Sequence, residues 1–155
     1  MKTKHIIAHA IIVIAIVLVF VESAAAKVCE QHDFGSADHE YYIYSSGKTW
    51  DFIAEKNMSV EAIEVKSVLA TQTEGTFYVQ IEINGQSVTQ WNEYVSSINY
   101  QPFIYSENVY FNVQQGDTIT YRIWGNFSSN NLGAISGPNY VKFCGLDNLI
   151  ISPDT

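Results

Sequence analysis

The sequence predicts an all-β chain: an antiparallel two-sheet β-sandwich, jelly-roll-like, with its terminal strands joined by a disulfide. Three observations carry this. No long stretch has a helical period, whereas short stretches of alternating apolar and polar residues recur between turn signals. About eight such stretches fit in the chain, which suits two stacked antiparallel sheets. Two cysteines, Cys29 and Cys144, stand near the two ends of that region.

The first segment reads as an address. Lys2 and Lys4 precede a sixteen-residue stretch, Ile6 to Val21, that is apolar apart from His9. Ala24 and Ala26 then fit the small-x-small pattern of signal peptidase, which places the cut after Ala26. Residues 1–26 are expected to be a signal peptide and residues 27–155 a single secreted, extracellular β-sandwich domain. An uncleaved N-terminal membrane anchor is the alternative, because sixteen residues is only slightly short of a span. Removal of Lys2, Lys4 and Glu22 leaves six basic and fifteen acidic residues, a net charge of −9. Such a chain repels acidic polymers and, once cleaved, anionic membranes. It also lacks the clustered Lys and Arg that nucleic acid requires; Arg122 is its one arginine.

In an exported chain, an even pair of cysteines reads as a structural disulfide. A bond between Cys29 and Cys144 closes nearly the whole domain, worth roughly 4–5 kcal/mol in chain-entropy models. It is expected to hold the two ends together, as neighbouring strands. The run Glu30-Gln31-His32-Asp33 and Asp38-His39-Glu40 could supply metal ligands. Its spacing matches no dedicated site, so it reads as a solvated acidic segment and no metal or cofactor is expected.

Strands follow at Glu40 to Tyr44, Lys48 to Ala54 and Ser59 to Ala70, with Trp50 on the core side because it alternates with Phe52 and Ala54. Phe77, Val79, Ile81 and Ile83 alternate up to Asn84-Gly85, a two-residue hairpin turn in which both residues tolerate positive φ. The return strand, Gln86 to Trp91, then sets Ile83 opposite Gln86, Ile81 opposite Val88 and Tyr78 opposite Trp91. The chain from Asn92 to Glu107 reads as a long aromatic connection. A second hairpin is expected around Gly116-Asp117, pairing Val113 with Ile119, Phe111 with Tyr121 and Val109 with Ile123. Its other face sets Tyr110 against Arg122 and Asn108 against Trp124. Ser128 to Pro138 reads as a loop. Strands close the chain at Tyr140 to Cys144 and Asn148 to Ile151.

The run Val113-Gln114-Gln115-Gly116-Asp117-Thr118-Ile119 resembles the V-x-x-G-D-x-I hairpin of many jelly-roll sandwich modules, including carbohydrate-binding modules and other extracellular recognition domains. The resemblance implies the fold and lends the chain a non-catalytic, lectin-like role toward a glycan or cell-surface polysaccharide.

The residues point the same way. Trp91, Trp124, Tyr78 and Tyr110 are expected off the core face, with Asn92, Asn108 and Arg122 beside them. A flat aromatic can stack under a sugar ring while amides and a guanidinium bond its rim. Cross-strand packing is the plainer role for any one of these rings, and a salt bridge the plainer role for Arg122. Asn57-Met58-Ser59 and Asn126-Phe127-Ser128 are glycosylation sequons. No G-x-S-x-G elbow is present and no carboxylate pair is marked as catalytic, so the chain is not expected to be an enzyme. The alternative function is structural: a subunit of an extracellular filament, coat or adhesive layer that self-associates through strand edges.

Overall fold

The computed structural model describes residues 26–36, 39–72, 74–96, 98–127 and 133–148. The expected signal peptide and residues 149–151 of the last expected strand therefore lie outside the described residues, save Ala26. Among the described residues nine strands form: β1 (Lys27–Phe34), β2 (Glu40–Ile43), β3 (Lys48–Ile53), β4 (Met58–Thr71), β5 (Gly75–Ile83), β6 (Gln86–Val95), β7 (Gln101–Val113), β8 (Thr118–Phe127) and β9 (Gly133–Asp147). No helix occurs among the described residues.

The strands make two antiparallel sheets. In the first, β1 and β2 pair with β9, which pairs with β4, which pairs with β7. In the second the order is β3-β8-β5-β6. The expected β-sandwich is thus the observed one, and period-2 alternation explains it. Along β5 every second residue from Gly75 to Ile83 is buried, and Val60, Val65, Leu69 and Phe143 of the first sheet face Phe77, Val79, Ile81 and Ile123 of the second across the core. Tyr121 is fully buried, and its hydroxyl meets Ser67 Oγ at 2.8 Å. That bond removes the cost of a lone polar atom in an apolar interior, and burial pushes the phenol upward from its ordinary range.

Cys29 and Cys144 are bonded, and they stand directly opposite each other on β1 and β9. The terminal strands are neighbours, as the sequence predicts. The acidic run is solvated only in part: Gln31, Asp33, His39 and Glu40 are exposed. Glu30 to Asp33 lies inside β1, and Glu30 is 6% exposed. Its Oε1 accepts the Glu55 main-chain N–H at 2.8 Å and sits 2.6 Å from His32 Nε2. The His32 ring stacks on Phe52 at 5.2 Å. This polar group closes one flank of the sandwich, between β1 and β3.

The expected second hairpin is absent. β7 pairs with β4, whereas β8 pairs with β3 and β5. The segment around Gly116-Asp117 crosses from one sheet to the other. Val109, Val113, Ile119, Tyr121 and Ile123 do share one interior, but they face each other across it instead of lying side by side. Tyr110 is therefore not paired with Arg122, nor Asn108 with Trp124.

The first hairpin is present, with Asn84 and Gly85 at φ +50° and +78°. Ile83 pairs with Gln86 as expected. A bulge then intervenes, and Ile81 pairs with Thr89 instead of Val88. The one-residue slip inverts the rest of the strand, so Val79, not Tyr78, stands opposite Trp91. The aromatic connection is short, because β6 runs to Val95 and β7 starts at Gln101. Residues 133–138, expected in a loop, belong to β9.

Candidate functional site

Tyr78, Trp124, Arg122 and Asn92 meet on the outer face of the second sheet. Strand alternation puts them there: Phe77, Val79 and Ile123 point inward, so their neighbours point out. Across the strands, Trp124, Tyr78 and Asn92 form one rung. Thr49, Arg122, Gln80 and Gln90 form the next. Asn126, Thr76 and Tyr94 form a third.

The Tyr78 and Trp124 rings are stacked, with centroids 5.6 Å apart and planes 15° from parallel. Arg122 Cζ lies 5.4 Å from the Trp124 ring centre. Among the described residues Arg122 makes no ion pair, contrary to the expected salt bridge; its cation rests on the indole. Gly47, at φ +79°, lets the β2–β3 turn pass close to the platform: a Cβ there would meet Trp124 Cβ at 3.1 Å. At the margin Tyr94 donates to Glu74, which pushes the phenol up, and Thr120 donates to Asp51 at 2.6 Å. The result is a stacked aromatic pair ringed by amides, hydroxyls and one cation.

Three of the residues expected to join this face lie elsewhere. Tyr110 (86% exposed) and Asn108 are on β7, in the first sheet. Trp91 turns toward the opposite sheet and stacks flat on Tyr105, at 4.3 Å and 2°. Next to it Glu107 accepts hydrogen bonds from Thr89 Oγ1 at 2.6 Å and Tyr105 Oη at 2.7 Å. These contacts join β6 and β7 across the second flank of the sandwich. Gln90 and Thr49 were missed as members of the platform. Counting by twos from Asn92 would have found Gln90.

The two hydrogen bonds hold the Glu107 carboxyl below its ordinary value of 4.5, Thr89 contributing most and Tyr105 next. A group depressed on folding stabilises fully above its unfolded pKa and loses that contribution as pH falls through its folded pKa. The β6–β7 contact is therefore expected to hold at neutral pH and weaken only in acid, below the usual glutamate range. Urea titrations of wild type and Glu107→Gln across pH 3–7 check this. Their stability curves should converge at the acid end; a gap independent of pH would contradict the assignment.

No protein-family model matches the chain, and no curated protein matches it. Solved structures do. A carbohydrate-binding module, CBM36, in complex with calcium and xylotriose is 15% identical, with a TM-score of 0.48 over 76% of this chain and 98% of that one. A CBM4 structure is 8% identical, with a TM-score of 0.44 over 81% of each chain. Dimeric latent PorU from Porphyromonas gingivalis is 7% identical, with a TM-score of 0.51 over 80% of this chain and 13% of that one. At such identities the likeness is loose and is one of fold.

Proposed function

We propose that the outer face of the second sheet binds a neutral glycan or polysaccharide, without catalysis, outside the cell. The observation that carries the reading is the Tyr78–Trp124 platform with Arg122 beside it. A sugar ring has an apolar face that such a platform can cover and a rim of hydroxyls that side-chain amides can bond. Trp124 and Tyr78 supply the stack; Asn92, Gln80, Gln90 and Arg122 supply the rim. The net charge of −8 disfavours acidic polymers. Trp91, Tyr110 and Asn108 stand off this face, and the reading gives them no contact with the ligand. Export by residues 1–26 belongs to the same reading, since a disulfide persists in an oxidising compartment.

Binding of the chain from Lys27 onward to a panel of neutral polysaccharides, followed by tryptophan fluorescence, tests this. Trp124→Ala is expected to weaken binding by about 2 kcal/mol, roughly thirtyfold, as for a central aromatic anchor. Trp91→Ala should leave affinity nearly unchanged. Absence of binding across the panel, or full affinity in Trp124→Ala, would sink the proposal.

A further inference from the structure

The first sheet carries a notch of its own, away from the aromatic platform. On its outer face Tyr42, Ala134 and Ala70 form one rung across β2, β9 and β4. Two alanines in mid-rung leave a floor, bordered by Tyr42 on β2 and by Ile98. Glu40, Tyr42, Ala70, Thr71, Gln72, Ile98 and Ala134 line a pocket of about 160 Å³. Ile98 is 72% exposed and Tyr42 50%, so the mouth is apolar and aromatic.

The polar chemistry is one-sided. Tyr100 donates its hydroxyl hydrogen to the Glu40 carboxylate, and Tyr42 stands two residues along β2 from it, on the same face. The carboxylate pushes the Tyr42 phenol up, and burial together with the carboxylate pushes Tyr100 up. With its hydrogen committed, the Tyr100 hydroxyl offers only lone pairs, beside the carboxylate. Among the described residues no cation pairs with Glu40.

We propose that this notch binds a primary alkylammonium group, such as a lysine side chain or an aliphatic amine. The methylene stem lies on Ile98, Ala70 and Ala134, and the ammonium donates to Glu40 against the face of Tyr42. A carboxylate flanked by aromatic rings favours a cation over a neutral hydroxyl compound, through charge-assisted hydrogen bonding and cation–π attraction. The inference does not depend on the glycan reading, because the two sites are on opposite sheets.

The probe is n-butylammonium chloride, titrated into the full disulfide-bonded chain, with the Ala70, Ala134 and Thr71 methyl signals followed by NMR. Saturable shifts of these methyls are expected, with n-butanol at least about tenfold weaker. Glu40→Gln should lose the ammonium response, and so should Tyr42→Ala, whose exposed position leaves the fold intact. Trp124→Ala should retain it. Silence of all three methyls, equal response to n-butanol, or an unchanged response in folded Glu40→Gln or Tyr42→Ala would overturn the proposal.

Discussion

Serine in place of both Cys29 and Cys144 is expected to lower the stability of the domain by roughly 2–5 kcal/mol. The bond spans 115 residues of sequence, so the unfolded chain gains much freedom when it is lost. The folded side adds a local term. β1 has β9 as its one partner in the sheet, and the cystine fixes the register in which Glu30 reaches the Glu55 amide. Without it, β1 relies on its ladder from Lys27 to Phe34 and on the Glu30–His32–Phe52 contacts. Urea unfolding of the double variant, compared with the oxidised chain, reads the effect. A loss under about 1 kcal/mol would show that the ladder holds the strand unaided.

Asn139→Leu should cost about 2–4 kcal/mol. Asn139 is 1% exposed, in the part of β9 where pairing with β4 breaks between Lys66 and Val68. Three residues of β9, Gly137 to Asn139, lie there opposite Ser67, and Pro138 has no N–H to give to a ladder. The Asn139 side chain takes the place of main chain. Its Oδ1 accepts the Val68 N–H at 2.8 Å, and its Nδ2 donates to the Phe34 carbonyl at 3.4 Å. Leucine fills the volume but removes both side-chain bonds and leaves the Val68 N–H without that partner. Asn139→Asp is the informative control. It keeps the Val68 bond while burying a carboxylate, so its stability should recover as pH falls and the acid protonates. Thermal or urea unfolding at pH 4 and pH 7 separates the cases; a leucine variant as stable as wild type would show that water replaces the amide.

The strands themselves were legible because burial alternates so regularly along them. Phe77 to Ile83 and Asn84-Gly85 sufficed to place the first hairpin. Partnership was less legible, for a physical reason. Two alternating segments that bury the same face can lie side by side in one sheet or face each other from two. Val109–Val113 and Ile119–Ile123 do the second, and nothing local distinguishes the two, since the partners that decide it, β3, β4 and β5, are remote in sequence. The platform was half legible for a similar reason. Tyr78, Trp124, Arg122 and Asn92 follow from alternation, whereas the bulge at Val88 carries no glycine to announce it and sends Trp91 inward. Burial of Glu30 was hidden too, because its partners, His32 and the Glu55 amide, become visible only once β1 lies beside β3.

The pairing order also sets how the chain must come together in time. Among the described residues, β5 with β6 is the one strand pair joined by a tight turn, and every other pairing closes a long loop first. Such topologies fold slowly, typically in milliseconds to seconds. The delay is unevenly shared. All four strands of the second sheet have left the ribosome once Phe127 has, and the β5–β6 hairpin offers them a local nucleus. The first sheet is organised around β9, to which β1, β2 and β4 all pair. β1 and β2 must therefore wait, unpaired, for β9, and until then β4 has only β7 beside it. During that interval one edge of β4 is uncovered, which exposes the emerging chain to aggregation.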